Sequence, residues 1–144
     1  MKVEGLRSPH AKTAGIAYFA RMLDKIRLHQ AGSLPDEYHA NLGGGFDGFC
    51  CQFLWIEYPA LAGRVKDGGT DSELIEWAFQ QGRKPSDFEA MVWNEFMRKR
   101  GWNDEASERL AMRKAESGFP ARDDIQTFFD YIDLDEGRDT RDRA

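Results

Sequence analysis

The chain reads as an all-α protein, a compact single-domain bundle of five to six helices with a long glycine-rich loop after the first helix. Three observations predict this class. Apolar residues recur at helical spacing through most of the 144 residues. Capping signals and glycines punctuate those runs at helix-length intervals. Only one short run, FCCQFLWI at 49–56, has the composition of a strand, and no convincing second strand exists to pair with it.

Residues 1–11 form an N-terminal arm. The first helix is expected from about Lys12 to Ala31, stopped by Gly32 as a C-cap glycine. Ile16, Phe19, Ala20, Leu23, Ile26 and Gln30 give it a buried stripe, and Arg21, Asp24, Lys25 and Leu28 fall on a neighbouring face. At i, i+3 and i+4, the two cations and the anion are placed to pair with one another. The loop at 32–47 follows, and then the 49–56 run, for which the missing partner strand favours helix. Pro59 suits the first turn of a short helix ending near Gly68 and Gly69.

Thr70 with Glu73, and Ser86 with Glu89, are two capping boxes that open two further helices. The second carries Phe88, Met91, Val92, Trp93, Phe96 and Met97, so wide an apolar surface that it is expected to be the central helix. Asn103 is placed to cap a more polar, peripheral helix ending at Gly118. From Asp123 to Leu134 the stripe Ile125, Phe128, Phe129 and Ile132 should face the core and leave the carboxylates to solvent. Residues 137–144 read as a frayed tail.

The hydrophobic fraction of 41% and charged fraction of 31% are those of a globular chain. No window approaches a membrane span, and the opening MKVEGLRSPH lacks an apolar signal region, so a cytoplasmic location is expected. The net charge of −5 is unevenly spread: residues 1–33 balance at +4 and the remainder at −9. Residues 123–136 hold five aspartates and a glutamate with no cation. The simplest use of this asymmetry is internal, with the basic first helix facing acidic surface elsewhere. A nucleic-acid site would want a basic excess on one face, so no nucleic-acid partner is expected, and no membrane. Adjacent Cys50 and Cys51 suit neither a structural disulfide nor a CxxC motif, and read as buried thiols.

Within 32–47, Tyr38, His39, Asn41 and Asp47 supply a phenol, an imidazole, an amide and a carboxylate beside Gly43, Gly44 and Gly45. Arg21 and Lys25 from the first helix would reach a phosphate or carboxylate there. These six residues make the leading expectation a small, anionic ligand held between the first helix and the 32–47 loop. Turn-forming bonds within the loop are the plain alternative. The loop has neither a Walker A nor a dinucleotide pattern, and no cofactor is expected. A metal set built on His39 with Asp36, Glu37, Asp47 or the cysteines Cys50 and Cys51, joined by His10 or His29, lacks any recurring spacing, so no metal ligand is assigned. A small hydrolase or metal-assisted enzyme using His39 and Asp47 as general base is a third option, without a catalytic motif to support it, and no catalytic residue is assigned. The second option is a non-catalytic interaction module, as a homo-oligomer or with another partner. It rests on four Trp and ten Phe, and on Arg98, Lys99, Arg100 and Trp102, which form either an exposed basic-aromatic patch or a solvated helix end.

The segments LRSP at 6–9, RMLDKIR at 21–27, GSLPDEYHANL at 32–42, FD at 46–47, FL at 53–54, GGTDSELIEW at 68–77 and FFDYIDLDEGR at 128–138 stand in the order of a bacterial family. In that combination the chain resembles domain of unknown function 5069. The resemblance spans nearly the whole chain and implies one domain. It brings no activity, cofactor or catalytic residue to these positions.

Overall fold

At residues 12–17, where periodicity predicts the start of a long helix, the chain folds a two-stranded antiparallel hairpin. The computed structural model, which describes residues 1–142, pairs β1 (Lys12–Thr13) with β2 (Ile16–Ala17), Thr13 opposite Ile16. Ala14 and Gly15 both take positive φ, 50° and 79°, as in the tight turns whose twist matches paired strands. Asn94 fixes the hairpin from outside: its side-chain amide donates to the Gly15 carbonyl and its oxygen accepts from Ala17 N–H, both at 2.8 Å. Trp93 donates to the Ala17 carbonyl at 3.0 Å. The local helical pattern is thus overridden by bonds from a distant helix.

The first helix, α1 (Phe19–Gln30), therefore starts late. Every residue from Phe19 to Ile26 is buried, including Arg21, Asp24 and Lys25. A helix covered on all sides is the centre of a bundle, so α1 takes the place that composition assigned to the helix at 87–99. It ends as expected, with Gly32 at φ 73° and Ser33 N–H donating back to the Leu28 carbonyl at 2.8 Å.

A 3-10 turn (Asp36–Asn41) leads to α2 (Gly45–Leu54), which makes the 49–56 run helical through residue 54 and buries Cys50, Cys51 and Leu54. Helix α3 (Tyr58–Lys66) carries Pro59 in its first turn. Both capping boxes form, at the starts of α4 (Asp71–Gln81) and α5 (Asp87–Lys99). At Gly82, which ends α4, an added Cβ would lie 1.8 Å from the Leu54 carbonyl oxygen. The backbones of α2 and α4 meet there, and the Arg83 N–H donates to the same oxygen at 3.0 Å.

Helix α5 contributes Trp93 and Met97 to the core but leaves Phe88, Met91, Val92 and Phe96 exposed. Trp93 stacks on Phe53, with ring centroids 4.7 Å apart. The peripheral α6 (Ser107–Glu116) buries only Leu110. Its start is organised not by Asn103 but by Asp104, whose carboxylate accepts from the N–H groups of Gly101 and Ala106 at 2.9 Å each.

The last α-helix, α7 (Phe128–Asp135), is shorter than periodicity suggests because Thr127 caps it, accepting from Asp130 N–H at 3.2 Å. Phe129 and Ile125 are buried as expected. The carboxylates are not all left to solvent: Asp133 and Glu136 are buried, since both have cationic partners within the fold. Among the described residues the fold thus has seven α-helices and one hairpin. None of these helices is long and apolar enough to cross a membrane. The arm packs down, with Leu6 and Pro9 buried and Arg7 donating to both oxygens of Asp24. Beyond Gly137, Asp139 accepts from two nitrogens of Arg122; of the expected frayed tail, residues 143–144 lie outside the described residues.

Candidate functional site

The six residues singled out in the sequence separate into three environments. Lys25 and Asp47 form a buried ion pair, Nζ to Oδ1 at 2.7 Å. Tyr18 bridges it, donating to Asp47 Oδ1 at 2.7 Å and accepting from Lys25 Nζ at 2.9 Å. Asp47 also accepts from the Gly43 N–H, which ties the glycine-rich loop to α1. Arg21 donates from both terminal nitrogens to Glu136, at 2.8 and 2.7 Å. Tyr38 donates to the same carboxylate at 2.8 Å. His39 bonds to the Leu34 carbonyl and Asn41 is exposed. His39 and Asp47, considered together as a general-base pair, thus take different partners.

The intrahelical pairing expected of Arg21, Asp24 and Lys25 gives way to pairing across the fold. Arg21 goes to Glu136, Lys25 to Asp47 and Asp24 to Arg7. Arg27 reaches Asp71 at 2.9 Å, so the basic N-terminal third does meet acidic groups elsewhere. The sequence reading missed Tyr18, Glu136 and Arg138. Tyr18 carries a signal only in three dimensions, a buried non-glycine residue at φ 76°. Arg138 donates to Glu136 and Asp133 and to the Leu6 carbonyl.

Burial lowers the pKa of Lys25, opposed by the attraction of Asp47. Burial alone would raise Glu136, but its bonds from Arg21, Arg138 and Tyr38 hold the carboxyl below the usual range. Burial pushes the Cys51 thiol up to about 12 and Cys50 well above its ordinary value, the reverse of what a nucleophilic thiolate needs.

All four tyrosines of the chain, Tyr18, Tyr38, Tyr58 and Tyr131, are raised above 10, chiefly by burial. A raised folded pKa means stability is intact below the unfolded value near 10 and is lost as pH climbs past it. The expected result is an absorbance titration at 295 nm in which Tyr18, Tyr38 and Tyr58 contribute no tyrosinate at pH 10 in the native protein, leaving at most the signal of Tyr131. Phenolate beyond that of Tyr131 should then appear together with loss of helical circular dichroism. A graded rise beyond it in fully helical protein would contradict this arrangement.

A separate polar cluster joins the arm to α7. His10 Nε2 lies 3.1 Å from Asp130 Oδ1 and 4.0 Å from Asp133 Oδ2, and Ser8 Oγ donates to Asp133 at 3.0 Å. The three ligand-type atoms lie within 4.8 Å of one another. Arg138, 3.2 Å from Asp133, already neutralises part of that carboxylate charge. His10 opens onto a cleft of about 540 Å³ beside the hairpin and α5, which Lys12, Asn94, Glu95 and Arg98 also line.

The outer face of α5 leaves large apolar side chains exposed. Met91, Val92, Phe96 and Trp102 are 52%, 49%, 45% and 52% exposed, and all four line one groove of about 460 Å³. Glu95, Lys99 and Asp104 edge it. Of the basic-aromatic patch read at 98–102, Trp102 is exposed and Arg98 and Lys99 lean on Glu95. Arg100 turns back to Asp104 and Glu105, lying over the rings of Phe49 and Phe96.

The family model described as "Domain of unknown function (DUF5069)" matches residues 3–138 of the chain. No curated protein matches it.

Proposed function

We propose that this chain, which belongs to the DUF5069 family, is a non-catalytic interaction module that docks a protein partner on the outer face of α5. One observation carries the reading: four large apolar side chains, each about half exposed, line a single groove. Isolated exposed hydrophobics are ordinary on any surface, whereas a contiguous set of this kind marks a contact site. Tryptophan, phenylalanine and methionine are the residue types enriched at such contacts.

A small anionic ligand between α1 and the 32–47 loop is the weaker reading. The cations that would bind it already hold Glu136 and Asp47, both buried with them. A ligand anion would have to displace an internal carboxylate, leaving that carboxylate buried and unpaired.

The experiment is site-directed photo-crosslinking in living cells, with benzoylphenylalanine placed at Val92 or, as a control, at the exposed Gln126. A protein adduct is expected at Val92 alone, and Met91→Glu in the same chain should abolish it. Absence of any adduct at Val92, or equal labelling at both positions, would overturn the reading.

A further inference from the structure

We infer that the occupant of the α5 face is a second copy of this chain, docked with its own α5 antiparallel about a two-fold axis. The inference rests on the interaction reading above and names its partner.

The face is built to complement itself. Its outward side chains, exposed but for the half-buried Glu95, fall in two i, i+4 rows, Phe88–Val92–Phe96 and Met91–Glu95–Lys99. Such rows are the ridges by which two like helices interdigitate. The two ends of α5 differ in sign: Asp87 and Glu89 stand in the first turn, Glu89 paired with Arg83, and Arg98 and Lys99 stand in the last, where Glu95 offsets part of their charge. A two-fold axis through the middle of the helix reverses its direction in the second copy. The acidic end of each copy then lies against the basic end of the other, twice over, and the helix dipoles oppose. The same operation keeps like sides together, so the Met91–Glu95–Lys99 row of one copy runs along the same row of the other, and Phe88–Val92–Phe96 along its own counterpart. A parallel arrangement would set acid on acid and base on base. Glu95 and Lys99 on the groove edge repeat the mixture of signs.

One helix of this length, about 20 Å, is the spine of a small interface, so a dissociation constant on the order of micromolar is expected. Rim charges at the helix ends should make association stronger at low salt.

The test is sedimentation velocity of the purified chain over about two decades of concentration around the expected constant, alongside two charge variants. Dimer of twice the chain mass is expected at the upper end, and Met91→Glu should yield monomer whose thermal melt matches that of the parent at dilutions where the parent is monomeric, since Met91 is exposed. Asp87→Lys or Lys99→Glu alone should weaken association about tenfold at low salt. An equimolar mixture of the two should recover most of that loss, because only the mixed dimer restores both opposite-sign contacts. Dimer that persists in Met91→Glu, or no recovery on mixing, would overturn the inference. A purified chain that stays monomeric while Val92 crosslinks to a different protein would overturn it and leave the interaction reading standing. Monomer with no Val92 adduct would remove both.

Discussion

Replacing Asp47 by alanine is expected to destabilise the protein by about 3–5 kcal/mol at pH 7, the range for removing one partner of a buried ion pair. Asp47 is fully buried. Its loss strands Lys25, 5% exposed, and takes the acceptor from Tyr18 Oη and the Gly43 N–H. The melting temperature should fall by roughly 10–15 °C for a chain of this size. The pH profile separates a charge effect from a packing effect. Burial already depresses Lys25, and removing Asp47 removes the attraction that opposes it. Below the ordinary lysine value of 10.5 the unfolded variant then binds more protons than the folded one. Its stability should therefore rise with pH, from the depressed folded value up towards 10.5, as folded Lys25 sheds its proton. Asp47→Asn keeps an acceptor oxygen and should lose less. Urea denaturation at several pH values checks both statements; a loss below 1 kcal/mol would show that the pair is solvated in solution.

Glu136→Ala should cost about as much, again roughly 3–5 kcal/mol, because Arg21 is 3% exposed and donates two bonds to that carboxylate. Tyr38 and Arg138 lose an acceptor as well. The folded pKa of Glu136 lies below its ordinary 4.5. Its contribution is therefore complete above about 4.5 and disappears as pH falls through the lower folded value. Glu136→Gln should be less stable than the parent at pH 7, and the gap should close as pH falls below 4. Parallel urea curves with a constant gap across that range would show that Glu136 acts through shape and not charge.

The elements that could be read along the chain are those with local causes. Thr70 with Glu73 and Ser86 with Glu89 form their capping boxes as spaced, and Gly32 stops α1 where a left-handed residue is needed. The 49–56 run is helical through Leu54, as expected of an apolar run with no partner strand legible in the sequence. The hairpin at 12–17 was not legible, since its turn contains Ala14 instead of the usual Asn or Asp, and Asn94 and Trp93 secure it from far along the chain. Hydrophobic pattern also ranked α5 above α1 for centrality. Periodicity measures how apolar a face is and not what covers it, so an exposed contact face and a core face look alike. The charged residues of α1 were legible as notable, and their partners were not. Arg21 and Glu136 stand 115 positions apart, and no spacing rule connects them.

That separation has a consequence for the order of events during synthesis. Arg21 is made long before Glu136, so a nascent chain carries α1 with its guanidinium lacking its final counter-ion. At roughly 5–20 residues per second, the interval is about 6–23 s. The hairpin is likewise incomplete until Asn94 emerges. Lys25 and Arg27 meet Asp47 and Asp71 well before α7 is made, so most of α1 can settle against early elements. The Arg21 corner alone must wait for the last helix to be delivered.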